Sequence, residues 1–333
     1  MPPSNGIGSA GSTVLATLEA SGLDTSCVRI LGGGDDSART AQYVAVNGTD
    51  KNLVLAMADM DIFVRHASPD YAASVIEAAK PAWLVVDANW SSSAIGTWLS
   101  AGRKHGAKTA FEPVSVAKST RLFPSSKHRS MPVFPSATVD LATPNQLELE
   151  AMYQAAKENG YLDTSEWFGV IDAFGMRGAR DRFVKLSSAE ITDAGIPAQS
   201  IQLLPYIPTI ITKMGANGVL LVSMLGKQDS RLYDREAEPF ILARSTNDHP
   251  EVGGVYMRYF PPVERVEDVV SVNGVGDTFL GVMTAGLAMG GRAEDLVDVA
   301  QKAAVLTLRS PSSVSEELGD LAGEFLGAAR RRQ

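Results

Sequence analysis

Asp277 stands inside the run Gly274-Val275-Gly276-Asp277-Thr278-Phe279, which combines a phosphate cradle with a candidate base. Gly274 and Gly276 remove side chains where a backbone must approach a ligand. Phe279, Val282, Met283, Gly286 and Leu287 then recur at helical spacing, so a helix starts at the glycines. The free N–H groups of a helix start, together with the positive end of its dipole, suit an anion such as phosphate. A carboxylate beside that anion is repelled by it and needs a reason to be there. Accepting the proton of a hydroxyl that attacks the phosphate supplies one. The same glycines also fit a plain strand-to-helix turn, with Asp where helix starts favour it.

Other polar residues follow apolar runs in the same way. Asn145-Gln146-Leu147-Glu148 places an amide and a carboxylate three residues apart at a helix start, where they share a face and can also form a capping box. Lys213-Met214-Gly215-Ala216-Asn217-Gly218 closes a buried run with a tight turn, which needs no ligand to explain it. Asp87-Ala88-Asn89 and Glu112-Pro113 are further polar groups of this kind.

The elements that must position these residues are strands alternating with helices. Strands are expected over 83–86, 108–111, 137–141, 206–212 and 218–223, the last as a hairpin partner. Helices are expected over 70–79, 91–102 and from Asn145 onward. Apolar strands in βα alternation mean a mostly parallel sheet covered on both faces, with ligands gathered at the strands' carboxyl ends. Asp87, Glu112, Asn145, Lys213 and Asp277 all fall at such ends, and a short strand is expected just before Gly274.

Before the alternation, residues 1–12 read as a disordered start with a helix over 13–21. A strand at 28–31 ends in Gly32-Gly33-Gly34-Asp35-Asp36, which lacks GxGxxG spacing and is read as a turn, so a dinucleotide-binding oxidoreductase is disfavoured. Two β-type runs, 40–46 and 52–57, flank Asn47-Gly48-Thr49-Asp50 as a hairpin. Residues 160–204 carry helices without an assignable role, and 235–263 read as long surface loops or short strands. No internal repeat is present.

The chain has 333 residues, 20% of them charged, and a formal net charge of −8, which argues against a nucleic-acid partner. The basic cluster Lys118, Arg121, Lys127, His128 and Arg129 reads as a solvated loop. Cys27 is the single cysteine, so no internal disulfide forms and a reducing compartment is expected. His66, His105, His128 and His249 lack metal-ligand spacing. No signal-peptide pattern and no membrane-length apolar run occurs, so a cytoplasmic location and no membrane partner are expected.

The run Gly-Val-Gly-Asp-Thr-Phe, with its small-residue helix, resembles the C-terminal signature of the PfkB (ribokinase-like) kinases. Within that family the likeness is greatest to eukaryotic pseudouridine kinases, through Arg39-Thr40-Ala41-Gln42-Tyr43, Ala58-Asp59-Met60-Asp61-Ile62, Phe111-Glu112-Pro113-Val114, Leu203 to Pro208 and Ser271-Val272-Asn273-Gly274. The resemblance implies a three-layer αβα ribokinase-like fold over 13–330, with a small β lid about 40–58.

The implied activity is ATP-dependent phosphorylation of a primary hydroxyl on a sugar or nucleoside, with pseudouridine as the best substrate guess. Asp277 would be the catalytic base, and the amides of Gly274, Val275 and Gly276 the anion hole. Asn145 and Glu148 match the family's Asn-x-x-Glu motif, which helps hold the Mg2+–phosphate assembly; Mg2+ prefers oxygen ligands and keeps waters. Lys213, Gly215 and Gly218 would lie along the nucleotide. Asn89 and Glu112 would face the substrate or organise metal waters, while Gln301 and Lys302, on the helix flanking the adenine, read as exposed.

Two departures accompany the likeness. The family's first strand, part of its lid and its Gly-Gly-x-x-x-Asn helix do not precede Thr13, so part of the sugar site is expected to be missing. Ser271 replaces the Asp that supports a monovalent cation in many members, which leaves cation activation in question. A non-catalytic protein that binds nucleotide or a partner is therefore the alternative. A homodimer through the lid is the implied self-association.

Overall fold

Four runs rich in branched and aromatic residues, each closed by a polar turn, form the parallel half of one sheet. The computed structural model describes residues 8–31, 38–48, 53–66, 68–125, 131–176, 179–246 and 249–331. A small antiparallel sheet pairs β1 (Gln42–Asn47) with β2 (Leu53–Asp59). The main sheet contains β3 (Trp83–Asp87), β4 (Lys108–Glu112), β5 (Leu141–Ala142), β6 (Thr209–Lys213), β7 (Val219–Gly226), β8 (Ile241–Arg244) and β9 (Val252–Phe260). Its order is β3-β4-β5-β6-β7-β9-β8. β3 to β6 are mutually parallel; β7 is antiparallel to β6, β9 to β7 and β8 to β9, so β9 shares the direction of the first four. The sheet is therefore mostly parallel, and the fold is α/β.

Strand periodicity divides the interior into two cores. Phe111, Ile210 and Val222 pack with Ile95 and Leu99 of helix Ser92–Lys104 and with Leu149 and Met152 of helix Gln146–Glu158. Their sequence neighbours Ala110, Ile211 and Leu221 face the other way. These pack with Phe279 and Met283 of helix Val275–Ala288 and with Leu296 and Ala300 of helix Ala293–Leu308. Two helical layers thus cover the sheet.

Several expectations are revised. The first helix is Ser9–Ala20, beginning before Thr13 and inside the stretch read as disordered. Residues 28–31 form no strand: Val28 and Ile30 are exposed, and no ladder receives them. The strand expected over 137–141 shrinks to Leu141–Ala142, although Ala137 and Val139 are still buried. The segment 235–263 contains β8 and the nine-residue β9, with Val252, Val255, Tyr256, Met257 and Phe260 buried.

No strand precedes Gly274 either. The N–H groups of Val270 and Ser271 both donate to the Leu308 carbonyl, at 2.8 and 3.2 Å, so they join a helix end and not a ladder. Between residues 160 and 204, helices Ser165–Ala173, Arg180–Leu186, Ala189–Asp193 and Ile196–Leu203 extend the first core through Trp167, Phe183, Ile191 and Ile201. The triple-glycine turn at 32–36, Thr49-Asp50 and the basic residues 127–129 lie outside the described residues. Among the described residues no helix is long and apolar enough to cross a membrane.

Candidate active site

Gly274 caps helix Val275–Ala288 with φ 74°, a left-handed conformation that favours glycine. Space demands glycine as well, because a Cβ there would lie 1.7 Å from the Ser313 carbonyl oxygen. The first intrahelical bond runs from Thr278 N–H to the Gly274 carbonyl at 2.8 Å. The N–H groups of Val275, Gly276 and Asp277 belong to the first turn, where a helix offers no carbonyl to receive them. Asp277 is the acidic residue of that turn, and it is exposed.

Lys213 reaches this turn from the end of β6. Alternation places its side chain on the Ile211 face of the sheet, the face covered by helix Val275–Ala288. A Cβ added at Gly276 would sit 3.0 Å from Lys213 Nζ. The same ammonium pairs with Glu112 Oε1 at 3.6 Å. Glu112 ends β4 and is 6% exposed, and its Oε2 accepts a hydrogen bond from the buried Thr143 hydroxyl at 2.8 Å. Burial pushes the Glu112 carboxyl above its ordinary value; Lys213 and Thr143 oppose that, and the like charges of Glu148 and Asp277 add to it.

Glu148 and Asn145 form a complete capping box. Glu148 N–H donates to Asn145 Oδ1 at 2.9 Å, and Asn145 N–H donates to Glu148 Oε2 at 2.8 Å. The bland expectation for this motif is therefore met, and Glu148 is also buried within range of Glu112. A bridge between Asn145 and Lys213 continues the β5–β6 ladder past its last named pair. Gly215 is exposed with φ 57°. Gly218 has φ 77°, and a Cβ there would meet the Phe260 carbonyl oxygen at 2.2 Å. The turn between them packs its far end on the end of β9.

Asn89 shares the sheet edge but not the cluster. Its amide nitrogen donates to Asp87 Oδ2 at 2.7 Å, and its oxygen accepts from Lys118 Nζ at 2.6 Å. Arg121 donates to the carbonyls of Ala88, Asn89 and Trp90. Lys118 and Arg121 thus brace the β3 end, contrary to their reading as solvated loop residues. Gln301 is buried and donates to the Pro261 carbonyl at 3.2 Å, which corrects its expected exposure. Lys302 is half-exposed and pairs with Glu324 at 2.7 Å.

The glycine turn, Asp277 and the Ser313 loop fall within residues 248–317, which match the model of the pfkB family carbohydrate kinases. The chain is similar to the pfkB family over those residues, which include the glycine turn and Asp277. A pseudouridine-metabolizing bifunctional protein of Schizosaccharomyces pombe is 31% identical over 287 residues, covering 85% of this chain and 35% of the relative. A pseudouridine kinase of Arabidopsis thaliana is 28% identical over 219 residues, covering 62% of this chain and 51% of the relative. The chain thus spans about a third to a half of the curated relatives it matches.

Among solved structures, ribokinase from Cryptococcus neoformans in complex with ADP has a TM-score of 0.58 at 17% identity, over 98% of this chain and 81% of that one. A Burkholderia thailandensis nucleoside kinase in complex with inosine scores 0.54 at 14% identity, over 97% and 78%. At such identities the likeness is one of fold, and the fold is ribokinase-like.

Three features of this cluster leave little trace in the sequence. Thr143 carries no signal in its residue type, yet its hydroxyl fixes Glu112. Ser313 acts through a backbone oxygen, which leaves no signature in residue type. Val114 has φ 66°, and Ser115 N–H donates to the Pro113 carbonyl at 2.7 Å, a three-residue turn that β-branched residues seldom adopt. Its only sequence signal is the proline after Glu112.

Proposed function

We propose that this chain transfers the terminal phosphoryl group of ATP to a primary hydroxyl of a sugar or nucleoside, with pseudouridine the first substrate to test. The observation that carries this is Asp277 in the open first turn of helix Val275–Ala288, with the Lys213 ammonium against the same turn. The N–H groups of that turn and Lys213 stabilise charge on the phosphoryl group in flight. Asp277 takes the proton of the attacking hydroxyl. Gly215 keeps the β6–β7 turn open to the nucleotide, with Asn145 beside it, and Gly218 lets the far end of the turn seat against Phe260.

Mg2+ fits the residues present. Glu148 spends only one carboxylate oxygen on its cap. That suits an ion that takes one or two carboxylates and completes its shell with water and phosphate. Bound near Glu148, Mg2+ supplies neutralising charge to the nucleotide phosphates. The choice of pseudouridine leans on the two relatives, a pseudouridine-metabolizing bifunctional protein and a pseudouridine kinase. In the lid, Val44 faces Met57 and Val46 faces Leu55 across the hairpin, all exposed, and a second copy of the chain would cover this face.

The test is ADP formation from ATP and Mg2+ with pseudouridine, with ribose and adenosine as controls. ADP that depends on pseudouridine supports the proposal in full. ADP that depends only on a control changes the substrate. Nucleotide binding without substrate-dependent ADP from folded protein overturns the activity in favour of a binding protein.

A further inference from the structure

Lys213 is held where a cation is unwelcome. Its ammonium sits against the first turn of helix Val275–Ala288, where the peptide dipoles already present positive charge. The carboxylate paired with it is that of Glu112, at 3.6 Å. This separation exceeds the roughly 2.7–2.9 Å of a charge-assisted hydrogen bond, so the pair attracts without clamping. Glu112 in turn is fixed on two sides. Thr143 holds Oε2 at 2.8 Å, and the left-handed backbone at Val114 follows directly, with Val114 N–H 3.5 Å from Oε1. A costly turn and a buried carboxylate next to two like charges call for a compensating role.

We propose that Glu112 is the standing counter-ion of Lys213, a positioning residue that aims the ammonium at the phosphate place and yields it when the nucleotide arrives. It rests on the phosphotransfer reading and replaces the sequence-based assignment of Glu112 to the substrate or metal waters. An incoming polyphosphate outbids a single carboxylate for the ammonium. Glu112, tethered to Thr143, cannot follow. Its charge opposes the anion in the ground state, while its placement of Lys213 serves the transition state.

The expected signature is a split between binding and turnover. In Glu112→Gln, whose amide oxygen still accepts from Thr143, nucleotide affinity by calorimetry holds or tightens while kcat falls about tenfold. Lys213→Met weakens nucleotide binding and lowers kcat. In the double variant Glu112→Gln has no further effect, and Glu112→Asp recovers part of the lost turnover. If the two substitutions multiply, or if Glu112→Gln raises KM for the hydroxyl substrate at unchanged kcat, Glu112 acts on its own and the inference is wrong. Should Glu112→Gln fail to fold, Thr143→Val frees the same carboxylate and must show the same split in weaker form. Wild-type protein that neither binds nucleotide nor forms ADP removes the functional proposal and this inference together. Wild-type activity with additive substitutions removes this inference alone.

Discussion

At the carboxyl ends of the parallel strands, Glu112 pairs with the Lys213 ammonium while Glu148 and Asp277 lie near enough to oppose the charge on Glu112. At the opposite end of the sheet, beside the first residues of β3, β4 and β6, charges pair off more completely. Arg231 grips both oxygens of Asp229, at 3.0 and 2.7 Å, and reaches Glu294 Oε2 at 3.5 Å. Arg292 meets Asp234 at 3.3 Å and the Ser230 hydroxyl at 2.7 Å. Within this second cluster Glu294 Oε1 accepts no hydrogen bond, and Arg292 lies 3.8 Å from it. Both clusters are costly to bury. One meets most of that cost with its own arginines; the other is left acidic beside an open helix start, as a site that binds cation and polyphosphate together would be.

The largest effect expected at the acidic end is that of Asp277→Asn. Turnover should fall by about 10²–10⁴-fold while nucleotide affinity is kept. Lost binding with intact turnover would sink the assignment of Asp277 as the base. Arg231→Met tests the other cluster. It strands Asp229 and Glu294 in the interior, so denaturant unfolding should show a loss of about 3–5 kcal/mol, with kcat/KM per folded molecule unchanged. Activity lost at full stability would mean that this end also serves the reaction.

The smallest effects are in pH, and they have opposite signs. Glu112 is pushed up by burial, so the folded chain keeps a proton that the unfolded chain releases. Stability from this group therefore falls as pH rises from the ordinary value of 4.5 through the folded pKa. Glu112→Gln should gain on the parent over that window in thermal melts. Burial also works against the Asp229 carboxylate, but the hydrogen bonds and charge of Arg231 outweigh it and hold the group low. Its contribution is present above the ordinary 3.8 and is lost as pH falls through the folded value. Asp229→Asn should be less stable than the parent near neutrality, with the gap closing in acid.

Strands such as Trp83–Asp87 and Lys108–Glu112 were legible because unbroken apolar runs and closing polar residues are local signals. β9 was not. Gly253 and Gly254 interrupt its apolar run, and their reason lies in other strands: a Cβ at Gly253 would meet the Gly226 carbonyl oxygen at 2.6 Å, and one at Gly254 that of Ala243 at 2.4 Å. Val28 and Ile30 have strand composition without a ladder to join, so composition misled there. In the site, the residue types at Asp277, Lys213 and Glu148 were readable from their places after apolar runs. The Glu112–Lys213 pairing was not, since it joins residues a hundred positions apart through the register of β4, β5 and β6.

The contact between Gly274 and the Ser313 carbonyl sets a limit on recombining this chain with its relatives. Both partners lie within residues 248–317. A chimera that takes the glycine turn from one parent and the loop at Ser313 from another would mismatch a surface with no room for a methyl group. The smallest interchangeable cassette therefore runs from before Val270, whose N–H is tied to Leu308, to beyond Ser315, whose N–H is tied to Thr307. Crossovers inside it should yield chains whose glycine turn has lost its back wall, and crossovers outside should leave the turn intact.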